Sequence, residues 1–485
     1  MLALTARANA GSDPAPGQIP PLPALMPRSV PAFPGAWGGG MFTPGGRGGR
    51  VILVTNLDDQ GPGSLRAAIE AEGPRIVVFR VAGVIALSRN LDIEKPFITI
   101  AGQSAPGDGV CVSNHSININ THDVVLRHLR VRRGDPKGGQ GSDNIGGNPL
   151  GNVIVDHCSV SWGRDENISL YRSMRNAPDG TREKHPANNV TIQWVISSEA
   201  LGPGHEFGGT WGGEDSTFHH NLFACNTGRN PSIGMSGTFD YRNNVVFNWG
   251  HRIMDGGDEA SLVNVINNYY KAGPATRDSM RSVIARMESR SQLSPGKAMA
   301  QSRWYPGQEP RPGKWYVAGN IMENDPAVTA DNWQGMAGNR ELARVHSPFQ
   351  GWPVWQQTAR EAYEAVLAKG GATLPRRDAV DRRVVEMVRS GNVSHGVGII
   401  TNPDQVGGYP AYAFDPAALP ADTDADGMPD AWESRFELAP ADAGDAAADA
   451  DRDGYTNIEE FLNGTDPRAA VDYRNFDNNV DTISG

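Results

Sequence analysis

The feature of this sequence that most constrains its fold is a short motif repeated at nearly constant spacing. A polar residue, an asparagine and an apolar residue recur around Asn221, Asn244 and Asn268, at intervals of 23 and 24 residues, and again at Asn320. Self-similarity with a period of about 20 to 50 residues is typical of solenoids, in which each repeat stacks on the previous one. Stacked asparagines can satisfy one another's amides, so the spacing also predicts an asparagine ladder.

Short apolar segments with strand-like composition recur from about residue 75 to 321, with little helical sequence between them. The chain has 58 glycines and 35 prolines in 485 residues and only 20% charged residues, which favours many short strands and turns. These features predict a mainly β protein built from the coils of a β-helix. A β-sandwich or propeller with accidental spacing is the alternative, and the short strands and irregular loops fit it less well.

Two segments have helical periodicity. The first, GPGSLRAAIEAEG at 61–73, is amphipathic and lies before the first repeats. Because a solenoid must cover its open end, we expect this helix to cap the first coil. The second, around 356–390, is predicted to pack against the side or end of the solenoid in a structural role.

Two twelve-residue segments near the C-terminus have acidic residues at loop positions 1, 3, 5 and 12 and a glycine at position 6. The acidic positions are Asp422, Asp424, Asp426 and Glu433 in the first loop, and Asp449, Asp451, Asp453 and Glu460 in the second. Alternating carboxylates converge on a hard cation, and the last glutamate can bind through both oxygens. The pattern predicts two EF-hand-like Ca²⁺ loops within 420–467 and a tail over 468–485; a disordered acidic tail is the alternative.

The sequence around these loops resembles the calcium repeats of dockerins and thrombospondin type 3 modules, in DTDADGMPDAWE and DADRDGYTNIEEFLNGTDP. The resemblance implies a small extracellular calcium-binding module with a structural role. It also allows a partner protein to dock through the repeats.

Charge is unevenly distributed along the chain. Residues 415–485 contain 18 acidic and 4 basic residues, whereas the rest of the chain contains 37 acidic and 40 basic residues. A mildly basic body suits a polyanionic substrate, since local potential steers ligands. We expect no nucleic-acid partner, and no membrane association because no apolar run reaches the length of about 18 residues that a span requires.

The N-terminal segment and the cysteines bear on localisation. Residues 1–31 are predicted to be a leader or linker, with Ala8-Asn9-Ala10 as the remnant of a signal-peptide cleavage site; an arbitrary start followed by a disordered leader is the alternative. The three cysteines are too few and too sparsely spaced for a disulfide framework or a zinc site, and Cys158 and Cys225 are expected to be buried. We expect a secreted monomer.

Polar residues are concentrated in four stretches, at 142–147, 152–171, 204–221 and 227–234. In a β-helix, consecutive coils bring such stretches side by side on one face. We therefore expect the carboxylates of Asp143, Asp165 and Glu166 to form a Ca²⁺ site, with Arg229 one or two coils away.

Several stretches, in this order, resemble the pectate lyases of polysaccharide lyase family 1, in the branch with pectate lyase C. They are AFPGA, GGRGG, VTNLDDQGPGSLRAAI, IAGQSAPGDGV, VDHCSVSWGRDE, TGRNP and FNWG. The resemblance implies a right-handed single-stranded parallel β-helix of the pectin lyase type over 32–410. It also implies cleavage of polygalacturonate by calcium-assisted β-elimination, which releases 4,5-unsaturated oligogalacturonides outside the cell.

The resemblance also implies roles for individual residues. Arg229 matches the arginine that removes the C5 proton, and Asp143, Asp165 and Glu166 match positions of calcium ligands. The Asp156-His157 pair matches a structural pair. As residues that contact the substrate we name Arg164, His205 and Trp211.

Two departures from the family pattern bear on the substrate. Gly202 stands where many relatives have a lysine, and Ser232 where many have a second cation. The candidates to compensate for these missing cations are Arg164, His205, Arg242 and Arg252. A lyase acting on another uronic-acid polymer and a non-catalytic carbohydrate-binding β-helix are the open alternatives. A polygalacturonase-like hydrolase is disfavoured because its paired aspartates and accompanying motifs are absent.

Overall fold

The computed structural model describes residues 29–134, 142–176, 179–180, 182–288 and 312–484. Residues 1–28, most of the predicted leader, lie outside this description. In the described part the chain passes in turn through three parallel sheets, coil after coil. This arrangement confirms the predicted parallel β-helix and excludes the sandwich and the propeller.

The three sheets are described by their strands, which are numbered in chain order. The first sheet contains β1 (Arg50–Val54), β2 (Arg75–Phe79), β5 (Ile98–Ala101), β8 (His122–Arg127), β11 (Gly151–Asp156), β16 (Asn188–Gln193), β19 (Ser216–His219), β22 (Thr238–Arg242), β25 (Leu262–Ile266) and β28 (Lys314–Ala318). The second contains β3 (Gly83–Ala86), β6 (Val110–Ser113), β9 (Arg130–Arg132), β12 (Ser159–Ser161), β17 (Ile196–Ser198), β20 (Leu222–Ala224), β23 (Val245–Phe247), β26 (Tyr269–Lys271) and β29 (Ile321–Met322). The third contains β4 (Leu91–Ile93), β7 (Ile117–Ile119), β10 (Ile145–Gly147), β13 (Glu166–Leu170), β18 (Phe207–Gly213), β21 (Ser232–Ser236), β24 (Met254–Gly256), β27 (Ala285–Met287) and β30 (Met336–Ala337). An antiparallel hairpin, β14 (Arg172–Asn176) with β15 (Arg182–Pro186), projects between β13 and β16.

Stacked aliphatic side chains fill the interior of the coils. In the first sheet Ile98 is in register with Val124, Val124 with Val153, and Val153 with Val190, and all four are fully buried. Burying an aliphatic side chain of this size contributes about 1.5 to 3 kcal/mol. Repetition of such columns on successive coils holds the solenoid together.

From β8 onward, each corner between the first and second sheets is a sharp bend at one residue with positive φ. The segment 152–160, one continuous strand-like stretch in the sequence, forms two strands: β11 ends at Asp156, β12 begins at Ser159, and His157 between them has a φ of 47°. Trp194 and Asn243 occupy the same corner on later coils, with φ of 55° and 54°. At such a corner one residue in the left-handed conformation turns the chain. The alternation of apolar residues continues past it, so the corner does not appear as a break in the sequence.

The repeated asparagines form the predicted ladder just after these corners. Asn221 donates to Asn244 (2.9 Å), Asn244 to Asn268 (3.0 Å) and Asn268 to Asn320 (2.9 Å). Asn332 ends the ladder by accepting from Asn320 at 3.1 Å. The asparagines are buried and satisfied by their neighbours, which confirms the interpretation of the repeat.

The ends of the solenoid are covered by short helices. Helix α1 (Leu65–Glu70), capped by the Ser64 side chain, places Leu65 and Ile69 in the core, as predicted from 61–73. Near the other end lie α2 (Pro326–Ala330) and α3 (Arg340–Ala343), beside the buried Trp333.

Two longer helices pack on the outer face of the second sheet. Helices α4 (Ala359–Lys369) and α5 (Ala379–Ser390) bury Val366 and Val384 against Ile196 and neighbouring side chains of that sheet. This confirms that the segment around 356–390 is helical and structural.

The outer face of the first sheet is covered by both ends of the described chain. Phe33 and Met41 pack on Val125 and its neighbours. Farther toward the N-terminal coils, the segment with α6 (Asp430–Arg435) and α7 (Asn457–Asn463) buries Met428 and Ile458 against β2. The predicted C-terminal module therefore shares a hydrophobic core with the first coils. No helix in the described ranges is long and apolar enough to cross a membrane.

Candidate active site

The polar stretches converge on the third sheet. Asp143 lies just before β10, Glu166 begins β13, and Arg229 lies just before β21. Ile145 in β10 pairs with Ile168 in β13, which connects their coils directly. The next coil carries Phe207, which pairs with Glu166 on one side and with Gly228 on the other. Stacking thus brings residues 60 or more positions apart in sequence to one face.

Three carboxylates meet on this face. Asp143, Asp165 and Glu166 each offer an oxygen within 4.8 Å of the others. Asp143 Oδ1 also accepts from the Glu166 backbone N–H at 3.2 Å. Burial, and then the negative charge of Asp165, raise the pKa of Asp143 to about 7. Crowded oxygen donors of this kind fit Ca²⁺, which takes six to eight oxygens and would offset their repulsion.

Arg229 directly contacts the carboxylate cluster. Its Nη1 donates to Glu166 Oε1, and the Thr210 hydroxyl donates to the same oxygen at 3.1 Å. The guanidinium carbon lies 4.3 Å from the centre of the Phe207 ring, which supports the group from one side. The expected proximity of Arg229 to the carboxylates is found, at two coils from Glu166; the roles of these residues stay predictions.

A second asparagine ladder, not recognised in the sequence, lies beneath these residues. Asn144 donates to Asn167 (3.0 Å), Asn167 to Asn226 (3.3 Å) and Asn226 to Asn230 (3.3 Å). Three of these asparagines directly follow a site residue in sequence, in the dipeptides DN at 143, EN at 166 and RN at 229. The ladder therefore links the backbone segments that carry Asp143, Glu166 and Arg229. The recurring dipeptide was the signal in the sequence that could have revealed it.

Two of the three predicted substrate contacts border the cluster. His205, whose side chain is 57% exposed, places Nδ1 2.7 Å from Asp165 Oδ1. Arg164 donates through Nη1 to the Gly202 carbonyl at 3.1 Å. His205 thus touches the cluster and Arg164 directly precedes Asp165 in sequence; contact of either with substrate stays a prediction.

The prediction that Trp211 contacts substrate is wrong. Its side chain is fully buried, packs on Phe218 and Phe223, and donates to the Ile168 carbonyl at 3.1 Å. Alternation along β18 directs it into the solenoid, in register with Leu170. Trp162 in WGRDE and Trp249 in FNWG are fully buried as well.

The arginines considered as replacements for the cations absent at Gly202 and Ser232 differ in their surroundings. Ser232 donates to Asp255 Oδ1, and the same carboxylate pairs with Arg252 at 2.9 Å. Arg252 also lies 5.1 Å from the centre of the Phe207 ring, the ring that Arg229 approaches to 4.3 Å. Arg242 cannot compensate, because it lies in β22 of the first sheet and pairs with Asp240 at 2.6 Å.

The Asp156-His157 pair is structural, as expected. Asp156 accepts from Arg127 and lies 2.8 Å from His157 Nδ1, and the pair is buried. Although burial opposes ionisation, His157 and Arg127 hold the pKa of Asp156 well below its usual range. The His157 ring stacks between His128 and Trp194 on adjoining coils.

The C-terminal acidic residues form compact clusters. Asp422, Asp424 and Asp426 offer oxygens within 4.8 Å of one another, and so do the three aspartates of the second loop, Asp449, Asp451 and Asp453. Burial, then neighbouring aspartates, raise the pKa of Glu433 and that of Glu460 to about 8. A residue missed in the sequence, Asp445, joins Asp426 and Glu433 in a third group of this kind.

Comparison with known proteins agrees with the sequence resemblance. No protein-family model matches the chain. Among curated proteins, probable pectate lyase C from Aspergillus flavus is 35% identical over 450 residues, covering 90% of this chain and 94% of the relative. Probable pectate lyase C from Emericella nidulans is 35% identical over 455 residues, covering 91% and 94%.

Solved structures of pectate lyases show more distant similarity. A Bacillus subtilis pectate lyase mutant superposes with a TM-score of 0.47 and 13% identity, covering 72% of this chain and 99% of that structure. The cedar pollen allergen Jun a 1 gives 0.45 and 17%, covering 68% and 91%. The identity of 35% to curated relatives, over 90% of this chain, shows that the chain belongs to the pectate lyase family.

Proposed function

We propose that the protein is a secreted polysaccharide lyase that cleaves polygalacturonate by calcium-assisted β-elimination. The observation that carries the proposal is the contact between Arg229 and Glu166 within the cluster of three carboxylates on the third sheet. A base and a cation site must be adjacent if a uronate is to be held and deprotonated at one place.

The chemistry divides between the substrate carboxylate and its C5 proton. Bound by Asp143, Asp165 and Glu166, Ca²⁺ would supply Lewis-acid chemistry by withdrawing charge from the C6 carboxylate, which acidifies C5–H. Arg229, after loss of one guanidinium proton, takes the C5 proton. The C–H electron pair forms the C4–C5 double bond, the C4–O bond breaks, and the departing sugar oxygen gains a proton from solvent.

Neighbouring cations support binding of a polyanion. Arg252 is paired with Asp255 beside the Phe207 ring, on the coil that follows Arg229. His205 lies against Asp165 and has its ring centroid 5.2 Å from that of Phe207. We infer that Arg252 takes the place of the family cation absent at Ser232 and that it contacts a uronate carboxylate next to the scissile bond.

A second candidate substrate is another uronic-acid polymer. It is favoured by the loss of the family lysine at Gly202, whose backbone carbonyl instead accepts a hydrogen bond from Arg164. The β-elimination chemistry would be the same as on polygalacturonate, and only the contacts with the sugars beside the scissile bond would differ.

We also propose that both C-terminal loops bind calcium as structural ions. Fully buried Glu433, whose carboxylate oxygens have no hydrogen-bond partner among the described residues, supports this proposal. Loops of this type suit the millimolar calcium outside cells. The apolar side of the segment packs on the β-helix, and docking of a partner protein through the repeats, like the monomeric state, stays a prediction.

The experiment measures the ultraviolet absorbance of unsaturated product from polygalacturonate, with calcium or with a chelator. We expect a calcium-dependent rise that Arg229→Ala abolishes and that Arg89→Ala, a change at an exposed ion pair with Glu70, leaves intact. A rise only on another uronan would assign the second substrate. Binding of uronans without any rise would establish the non-catalytic alternative and refute the lyase proposal.

A further inference from the structure

We propose that Asp445, which lies outside both EF-hand-like loops, is a calcium ligand of the first loop and is held in place by the second. The proposal rests on the assignment of the two loops as calcium sites. It adds a ligand that the loop pattern does not contain, and a physical coupling between the two sites.

The first loop lacks a ligand at its ninth position. In an EF-hand loop this position contributes an oxygen, often through water. Here the residue is Asp430, and both its oxygens are used within the loop: Oδ1 accepts from the Thr423 backbone N–H at 2.7 Å and Oδ2 from the Thr423 hydroxyl at 2.8 Å. Among the described residues the Asp430 carboxylate is not one of those whose oxygens converge, so another group can supply the ninth-position oxygen.

Asp445 is positioned to fill that place. Its Oδ2 accepts from the Ala439 backbone N–H at 2.8 Å, which orients the carboxylate. Its Oδ1 is buried without a hydrogen-bond partner in the described structure, and Asp445 groups with Asp426 and Glu433 within 4.8 Å. One oxygen is therefore anchored, and the other is buried and unpartnered in a carboxylate that belongs to the cluster.

An independent observation indicates that this cluster receives a cation. Glu433 is fully buried and Asp426 is 2% exposed, yet both Glu433 oxygens and Asp426 Oδ2 lack a partner among the described residues. Buried carboxylate oxygens are normally hydrogen-bonded, paired or bound to metal.

The charge balance of the cluster leads to the same conclusion. Five acids meet there: Asp422, Asp424, Asp426, Glu433 and Asp445. Within the described ranges the one basic group within ion-pair distance of any of them is Arg80, whose Nη1 lies 3.7 Å from Asp422. A divalent cation fits this excess of hard oxygen donors.

The second loop holds Asp445 by its backbone. Asn457, at the ninth position of that loop, donates through Nδ2 to the Asp445 carbonyl at 2.9 Å. Its Oδ1 accepts from the Ala450 backbone N–H at 3.3 Å, so one side chain joins the start of the second loop to Asp445. Ordering of the second loop by calcium thus also places the ligand of the first, and the two sites bind cooperatively.

The first test uses calorimetric titration of calcium into the chelator-stripped full-length protein. We expect Asp445→Asn to weaken one binding event at least about tenfold, because a charged ligand is lost. The matched control is Asp442→Asn, an exposed residue of the same segment whose carboxylate accepts only from the Gly444 N–H among the described residues. Wild type binding no more calcium than the active site accounts for would refute the loop assignment itself. Binding in the loops that Asp445→Asn leaves unchanged would overturn the role of Asp445 alone.

The second test measures the coupling. Asp451→Asn disables the second loop and leaves every acid of the first intact. We expect first-loop affinity to fall severalfold in this variant, and to fall less when Asp445→Asn is already present, as in a double-mutant cycle. First-loop affinity that is indifferent to Asp451→Asn would overturn the coupling. Circular dichroism of the stripped variants confirms that each is folded.

Discussion

Arg229 and Glu166 share one ion pair, so the proposed base and a proposed calcium ligand neutralise each other before any substrate is bound. The pair is partly buried, with the Glu166 side chain 7% and the Arg229 side chain 28% exposed. A calcium ion that coordinates the Glu166 carboxylate must therefore weaken its ion pair with Arg229. Calcium occupancy and the availability of Arg229 are in this way linked through one carboxylate.

Glu166→Gln tests this link. It removes a negative ligand and the ionic partner of Arg229 while preserving the shape of the side chain. We expect the calcium concentration for half-maximal rate to rise and kcat to fall, together by roughly a hundredfold, as for loss of a preorganised charged group. The measurement is the lyase rate across a calcium series.

Glu214→Gln is the control, because Glu214 lies outside the carboxylate cluster and its raised pKa is caused first by burial and then by Asp215. An unchanged calcium dependence in Glu166→Gln would show that Glu166 serves only to position Arg229.

Arg252→Ala is expected to act on substrate binding. Arg252 does not touch the carboxylate cluster in any contact that the structure describes, but it lies beside Phe207 and next to the proposed base. Loss of one charge-assisted contact to a uronate should raise KM about tenfold, with little change in calcium activation. Steady-state kinetics on polygalacturonate measure this, with Arg281→Ala, at a separate surface ion pair, as control. A fall in kcat at constant KM would instead place Arg252 in the chemical step.

The architecture could be predicted from the sequence because repetition carries the information. Each coil passes through all three sheets, and the later coils repeat one asparagine, so the spacing of Asn221, Asn244 and Asn268 predicts the stack. Corner residues such as His157 do not interrupt the apolar pattern, and for this reason strand boundaries were missed.

The site was predictable in part, for a different reason. Motif resemblance placed Arg229 and the three carboxylates, which the structure brings together. The direction of Trp211 depends on the strand register, which a motif does not contain, and a shift of one residue exchanges the inside and outside of the coil. Asp445 was missed because its approach to the first loop arises from tertiary folding and not from loop spacing.

Asn167→Ala tests whether the second ladder positions the site. Asn167 accepts from Asn144 and donates to Asn226, so its loss leaves buried amides unsatisfied. We expect the free energy of unfolding to fall by about 1 to 3 kcal/mol. We also expect a clear loss of kcat, because Glu166 and its neighbours are no longer held in position relative to one another.

The matched control is Asn244→Ala in the other ladder, which contacts Asn221 and Asn268 in the same way and lies between the first and second sheets, whereas the carboxylates lie at the third. Urea unfolding and steady-state kinetics are compared for the two variants. Equal loss of stability with equal kcat would show that both ladders are purely structural.

The pH dependence of stability should reveal the C-terminal calcium sites. Burial, followed by the charges of nearby aspartates, raises the pKa of Glu433 and of Glu460 to about 8 in the metal-free chain. An unfolded glutamate titrates near about 4.3, so between these values the folded state binds more protons than the unfolded state. In chelator, the free energy of unfolding should therefore fall as pH rises from about 5 to about 8. Calcium ligates the ionised carboxylates and should flatten or reverse this slope.

Thermal unfolding at several pH values measures how the free energy of unfolding changes with pH, once in chelator and once in excess calcium. Asp143 in the active site, with a pKa raised to about 7 by burial and Asp165, contributes in the same direction, so the double variant Glu433→Gln and Glu460→Gln is the necessary comparison. If the C-terminal carboxylates dominate, this variant loses most of the pH dependence in chelator and most of the stabilisation by calcium. Because Met428 and Ile458 of the same segment are packed on β2, that stabilisation should extend to the first coils of the β-helix and appear in a single unfolding transition. Two separate transitions, of which only the lower responds to calcium, would contradict this coupling.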